Sequence, residues 1–434
     1  RSADLVNRVF DAGGRLVRQQ AEGPSRPGGA ALMDMRYQFD ASGRVCGSVD
    51  RGRALVFAYD AVDQLIGFNE ERFAFDPAHN LLPADGAAGS SAGRLENNRL
   101  TVFEDKRYRY DEHGRVVEKR VGAHTTIQLK WDDLNCLVES SSDGPQGVLT
   151  THYLYDAFGR RVAKRNARGT TWYVWDGERL AQQLGDVAEQ TFLYEPDSFV
   201  PFAQSASWAK GQASLYYYQC DQIGLPREML DAQGQQAWRG DYHAWGRLAS
   251  QQSATSVPGL SESAMQPLRW QGQYFDEETG LHYNRFRYYD PDAGRFITPD
   301  PIGLEGGFNQ YAYAPNPVEW FDPLGLVAHP ANCMATTAPS HRYVIVDAAT
   351  GELHKTGISS KPLNQNGTSG RANSQVNKLN KKAGSQKYKA VIAEKNISRC
   401  AAAQGEQKVV DTYYGRHGRM PPGMEKPIPT VLKK

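Results

Sequence analysis

Along the first three hundred residues, aromatic and β-branched side chains alternate with polar ones in short runs, each closed by a turn. VFDAGGRLVRQ, QFDASGRVCGS, YRYDEHGRVVEKR, YLYDAFGRRVAKR and YVWDGERLAQQ are the clearest copies, and AYDAVDQLIGF, AFDPAHNLLP and KWDDLNCLVES are looser ones. Period-two alternation predicts half-buried strands. The repeated Asp11, Asp40, Asp60, Asp76, Asp111, Asp132, Asp156 and Asp176 each start a turn through the side-chain oxygen, and Gly supplies the positive φ of a tight hairpin. The Arg that follows opens the return strand. One such hairpin cannot bury its own face, so the units are expected to stack into a long sheet as scaffold, with no chemistry in their Asp or Tyr residues.

The alternation fades after Leu326, and charge changes with it. From Val327 to Lys434 the chain carries 17 Lys/Arg against 6 Asp/Glu, a balance of +11, while the preceding 326 residues carry 33 against 43, a balance of −10. A basic terminus on an acidic body points to a polyanion partner for the terminus and to a body able to hold it. The five cysteines, Cys46, Cys136, Cys220, Cys333 and Cys400, are scattered, so neither a disulfide framework nor a zinc site is expected. No apolar run approaches the ~18 residues of a membrane-crossing helix. The first residue is Arg1 with no signal peptide after it, which suggests a piece of a longer protein.

The repeats resemble the YD repeats of Rhs proteins and of the related C component of insecticidal toxin complexes. The segment LRWQGQYFDEETGLHYNRFRYYDPDAGRFITPDPIGLEGGFNQYAYAPNPVEWFDPLGL, Leu268 to Leu326, is similar to the Rhs-associated core domain along its whole length. That resemblance implies a mainly β fold, a β-cocoon shell of which this chain holds only the last part, followed by a small α/β toxin domain. The expected division is a YD-repeat shell over 1–267, a core domain over 268–326 and a toxin over 327–434. The family's core ends in a DPxGL motif and is cut after its leucine by its own aspartates. Carried over, the carboxylates are Asp300 in TPDPIGL and Asp322 in WFDPLGL, and the scissile bond is Leu326–Val327. Two carboxyls sharing a site split their pKa values, so one can act as base on water and the other as acid, without a metal. Arg295 is a candidate to orient or charge-balance the pair. The plainer reading makes DPIGL and DPLGL two copies of an ordinary turn.

Downstream, RYVIVDAATGELHKTGIS reads as a hairpin, with strands over Tyr343–Val346 and Leu353–Ile358 around a turn containing Gly351. A helix is predicted to begin near Ser369–Arg371, with Val376 and Leu379 as its apolar stripe, then a strand over Lys387–Ala393 and a second helix over about Ser398–Tyr414. In that helix Glu406 precedes Val409, Val410 and Tyr413 at helical spacing and is placed near the inward face, where a carboxylate needs a partner or a cation; as an edge residue it would simply reach solvent.

The order of these elements resembles the GIY-YIG nuclease superfamily over roughly Arg342 to Gly418. Tyr343, Gly357, Arg371 and Glu406 match its motif positions, while RYV replaces Gly-Ile-Tyr, Lys355 stands where the second Tyr is expected, and no Asn matches the late Asn. The resemblance implies Mg²⁺ on Glu406, phosphate on Arg371 and water activation by Tyr343 or Lys355. His354 is a reserve proton carrier, or on its own a strand-surface histidine. Lys378, Lys381, Lys382, Lys387 and Lys389 would hold a nucleic-acid backbone, DNA before RNA, in a salt-dependent way.

Four alternatives stand beside this reading. A metal-independent ribonuclease would use His354, His417, Lys355 and Arg371. An ADP-ribosyltransferase lacks its Ser-Thr-Ser strand and Glu-x-Glu loop here, and a zinc deaminase lacks HxE and PCxxC. A non-enzymatic shell with a binding tail is the fourth. As an Rhs toxin, the chain would be secreted into a target-cell cytoplasm by a type VI apparatus, with spike proteins, the rest of the shell and a cognate immunity protein as partners.

Overall fold

In a computed structural model the described residues are 6–11, 15–21, 33–50, 52–83, 93–145, 147–208, 211–254, 265–330, 340–359, 363–364, 366–397, 409 and 421–422. The chain divides into two compact units, Arg1–Ala328 and His329–Lys434.

The first unit is built from hairpins laid side by side. An eight-stranded sheet runs from Val6–Phe10 to Leu81–Pro83, and a sixteen-stranded sheet from Gly93–Glu96 to Leu248–Ser253, every strand pairing with its neighbour in sequence. The repeated Asp is the staple of each turn. Asp40 Oδ1 accepts the N–H groups of Ser42 and Arg44 at 2.8 and 3.0 Å, and its Oδ2 takes Arg44 Nε at 2.7 Å. Asp111–Arg115 and Asp156–Arg160 repeat the Asp–Arg pairing at 2.7 Å. Gly43, Gly114 and Gly159 hold φ of +87°, +80° and +71° in these turns. In the looser copies Asp63, His79 and Asn135 occupy the same left-handed position at +67°, +61° and +63°. These are polar side chains that carry the strain of that region with less difficulty than branched ones.

Each turn Arg also reaches the next turn. Arg44 Nη1 donates to Asp60 O at 2.9 Å and pairs with Asp63 at 2.8 Å, and Arg115 Nη1 donates to Asp132 O at 2.6 Å. An Arg115→Ala chain should lose about 2 kcal/mol, the worth of charge-assisted bonds in a mostly sheltered place. Urea denaturation checks it, and a wild-type midpoint would show that the turn-to-turn bonds carry no stability. The Asp turn continues beyond the copies recognised by sequence: Asp221 and Asp231 each accept two N–H groups in the same way.

The strands Tyr274–Asp276, Leu281–Asn284, Arg287–Asp290 and Arg295–Phe296 form a separate four-stranded sheet. Its side chains are buried among the alternate residues of the long sheet, with Leu281, Tyr283, Tyr288 and Ile297 in one core with Tyr108, Ile127, Leu137 and Tyr153. Buried charges cross this contact in pairs. Arg161 Nη2 meets Asp276 Oδ1 at 3.0 Å while Nη1 meets Oδ2, Lys119 Nζ meets Asp290 and Asp292 at 2.9 Å, and Lys164 meets Glu278 at 2.9 Å. Buried ions survive only when paired and hydrogen-bonded, so these pairs also fix the register of the inner sheet on the outer one.

In the second unit, strands Ser340–Asp347, Leu353–Ser359 and Tyr388–Ile397 form an antiparallel sheet with Ser340–Asp347 in the middle. The helix Gly370–Ala383 packs on one face, placing Ala372, Val376 and Leu379 against Tyr343, Ile345, Ala390 and Ile392. Ser369 caps it by accepting the Ala372 N–H, and Gly384 ends it at φ +66°. The expected second helix falls, apart from Val409, outside the described residues. Among the described residues, no helix is long and apolar enough to cross a membrane.

Candidate functional site

Asp300 and Asp322 come together in the first unit around one cation, Arg287. Arg287 Nη2 lies 3.0 Å from Asp300 Oδ2 and 3.5 Å from Asp322 Oδ2. Its Nε donates to Gly325 O at 2.5 Å and its Nη1 to Gln310 O at 3.0 Å. The guanidinium rests 3.7 Å from the centre of the Phe296 ring, and Phe296 is itself packed on Tyr289 and Tyr313. All three charged side chains are at most 3% exposed.

The DPLGL loop is held by the same groups. Asp322 Oδ1 accepts the N–H of Gly325 at 2.9 Å and of Leu326 at 3.0 Å. Asn284 Nδ2 donates to Asp322 O at 2.9 Å, and Phe286 N donates to Leu324 O at 3.1 Å. Gly325, at φ +71°, turns where a side chain would strike Asn284 O and the Arg287 backbone. Gly306 matters for a related reason. A Cβ there would run into the Asp300 carboxylate and stand 3.0 Å from Leu326 O, so the Leu326 carbonyl and Asp300 border the same small space.

Burial raises the pKa of Asp300, opposed by Arg287 and by the Ile302 N–H. Burial likewise raises Asp322; Arg287 and the Leu326 and Gly325 N–H groups oppose it, and Asp300 adds to it. Asp322 Oδ2 has Arg287 Nη2, 3.5 Å away, as its partner. Two carboxyls around one guanidinium and a pinned loop can exchange a proton with a water at that loop.

Arg295 is elsewhere. Its Nη2 donates to Asn98 O at 2.5 Å and Nη1 to Asn80 Oδ1 at 3.4 Å, so it ties the core segment to a repeat turn and does not touch the pair. The cation is Arg287, in NRFRYYD, which sequence reasoning missed. An Arg in an alternating strand looks like a surface position, and only the pairing of that strand inside the core reveals it.

In the second unit the hairpin register sets Tyr343 opposite Gly357, with the tyrosine hydroxyl over the glycine Cα, where a side chain would clash. Lys355 lies opposite Ile345, on the same face. Tyr343 is fully buried, and Arg371 is exposed in the first turn of the helix, next to Ala372 in the Tyr343 core. His354 turns to Tyr388, ring centres 4.4 Å apart, and burial with Lys355 and Lys387 nearby lowers its pKa. Lys378, Lys381 and Lys382 are exposed on the helix, and Lys387 and Lys389 are exposed at the third strand. Glu406, His417, Cys333 and Cys400 lie outside the described residues. Among the described residues no cluster of three His, Cys, Asp or Glu could hold a metal, so a Mg²⁺ site rests on the resemblance at Glu406 alone.

Comparison with known proteins gives these sites a context. Residues 215–252 match the RHS protein family, and residues 334–418 match URI fold toxin 2. Double-stranded DNA deaminase toxin A of Burkholderia cenocepacia is 38% identical over 349 residues, 73% of this chain and 24% of the relative. Toxin protein Tse5 of Pseudomonas aeruginosa is 35% identical over 344 residues, 68% of this chain and 25% of the relative. The probable deoxyribonuclease RhsA of Dickeya dadantii is 30% identical over 355 residues, 76% of this chain and 24% of the relative. The chain therefore spans about a quarter of the length of these curated relatives. A Photorhabdus luminescens Tc holotoxin pore structure shares the fold, with a TM-score of 0.58 at 20% identity over 74% of this chain and 18% of that one. The chain is thus similar to Rhs and toxin proteins over about three quarters of its length, and its residues 334–418 match a toxin family.

Proposed function

We propose that the chain is the C-terminal part of an Rhs effector, secreted between bacteria, whose first unit cuts its own backbone at Leu326–Val327 and frees a toxin that hydrolyses nucleic acid. One observation carries the first half: Asp300, Asp322 and Arg287 converge on the Gly325–Leu326 peptide, with the Leu326 carbonyl bordering the Asp300 carboxylate. With one proton on the pair, the ionised carboxylate takes a proton from water as its oxygen adds to the Leu326 carbonyl carbon. The protonated partner then gives its proton to the Val327 nitrogen as the C–N bond breaks. Arg287 positions both carboxylates and the loop, and a pinned peptide lowers the entropy of reaching that geometry.

The second half is supported by the relatives. One is named for DNA deamination and another for deoxyribonuclease activity, yet each aligns with about three quarters of this chain. We assign the reaction to the basic segment after Leu326, since relatives of similar overall likeness carry different activity names. Residues 334–418 of that segment match a toxin family, nearly the span of the GIY-YIG resemblance. The segment's balance of +11 suits a phosphate backbone, and Arg371 and Lys355 supply cations for a phosphodiester. The resemblance gives Mg²⁺ on Glu406 as the group that would polarise the phosphate. A type VI apparatus with its spike proteins, the rest of the shell and an immunity protein complete the reading.

The full chain, incubated until self-cleavage is complete, is then mixed with plasmid DNA and total RNA, with Mg²⁺ or with EDTA. Plasmid nicking that needs the divalent ion and drops at least ~10²-fold in Arg371→Ala supports the nuclease. Cleavage of RNA alone, unaffected by EDTA, would move the assignment to a metal-independent ribonuclease. No change in either nucleic acid would leave only a binding tail.

A further inference from the structure

His341 has no part in the resemblance, yet the fold puts it beside the residues that do. It lies on the central strand two residues before Tyr343, so both side chains project to the helix-covered face, with ring centres 6.5 Å apart. Its cross-strand partner is Ser359, as Gly357 is that of Tyr343. The ring is buried, 4% exposed, and its Nε2 has no hydrogen-bond partner. A buried polar atom left unpaired costs about 1–3 kcal/mol, so an imidazole kept there is more than filler. His354 contrasts with it, its ring face taken up by Tyr388.

We propose that His341 is the proton carrier of the toxin, serving Tyr343's side of the sheet in place of His354. The inference rests on the nuclease reading above. Burial lowers the pKa of His341, which favours the neutral imidazole that can accept a proton. In the reaction Nε2 accepts a proton from water as the water oxygen bonds to phosphorus. The P–O bond to the leaving sugar oxygen breaks, and that oxygen takes a proton from solvent.

The test uses the self-cleaved full chain and plasmid DNA. His341→Ala is expected to lower kcat by ~10²-fold or more, the usual worth of a positioned base, with KM for DNA within twofold of wild type. Added imidazole is expected to restore activity by filling the space left. A His341→Gln variant, which keeps the size of the ring and some polarity, should bind DNA as wild type does and remain inactive without imidazole. Wild-type kcat in His341→Ala would overturn the proposal. So would a loss of kcat in a folded, DNA-binding variant that imidazole does not restore, since that outcome assigns the ring to packing. A wild-type chain that cuts no nucleic acid would instead sink the nuclease reading itself.

Discussion

An Asp322→Asn chain is expected to run as a single full-length band on a denaturing gel, where wild type runs as two. Asn keeps the shape and can still accept the Gly325 and Leu326 N–H groups through its carbonyl oxygen, so the loop should stay in place while the proton exchange is lost. The rate should fall at least ~10²-fold, as for removal of an acid or base. Asp300→Asn should do the same, because its carboxylate borders the same small space as the Leu326 carbonyl. The direction with pH follows from burial, which raises both carboxyls and lets the pair keep its shared proton to higher pH than exposed aspartates would. Cleavage should slow as pH rises and that proton leaves. Mass spectrometry of wild type should give a fragment beginning at Val327. Two bands from the Asp322→Asn chain, cut at that same bond, would remove Asp322 from the mechanism.

The second large effect concerns the core that presents this loop. Arg161 is ringed by Tyr173 and Tyr283 at 4.8 and 4.4 Å, with Tyr153 and Tyr274 at 5.5 and 5.4 Å, and it neutralises Asp276, which has no exposed surface. Arg161→Met should destabilise the first unit by about 3 kcal/mol, the low end for breaking a buried pair, because Lys164 Nζ, 3.2 Å from Asp276 Oδ1, still faces the buried carboxylate. That is a large share of the ~5–15 kcal/mol that holds a typical domain. The double variant Arg161→Met, Asp276→Leu removes both charges and should recover most of the loss, leaving Lys164 with Glu278. Urea unfolding followed by tryptophan fluorescence measures both. If the double variant is no more stable than the single one, packing around the guanidinium matters more than the charge.

Much of the scaffold could be read from local chemistry. Asp, Gly and Arg at fixed spacing specify the turn whose hydrogen bonds are seen at Asp40, Asp111 and Asp156. The hairpin at Tyr343 and the helix after Ser369 followed from alternation and an apolar stripe. What stayed hidden depends on contacts far apart in the chain. Arg287 is 13 positions from Asp300 and 35 from Asp322, and nothing local separates it from Arg285 or Arg295. Arg285 instead holds the turn carbonyls of Phe158 and Gly159. His341 escaped for a different reason: a histidine at the edge of an alternating strand gives no sign of an unpaired nitrogen until the opposite strand is in register.

The hydrogen bonds from Gly325 and Leu326 to Asp322, and from Arg287 to Gly325 O, all lie on the shell side of the scissile bond. Hydrolysis leaves every one of them intact. The new Leu326 carboxylate would then bring a third negative charge to a pocket whose adjacent cation is Arg287. Resealing the bond would require an amine to approach that crowded anion, so the cut is effectively one-way. On the proposed mechanism, cutting the chain and separating its two products are therefore distinct events, because the cut alone removes none of the bonds that hold the loop.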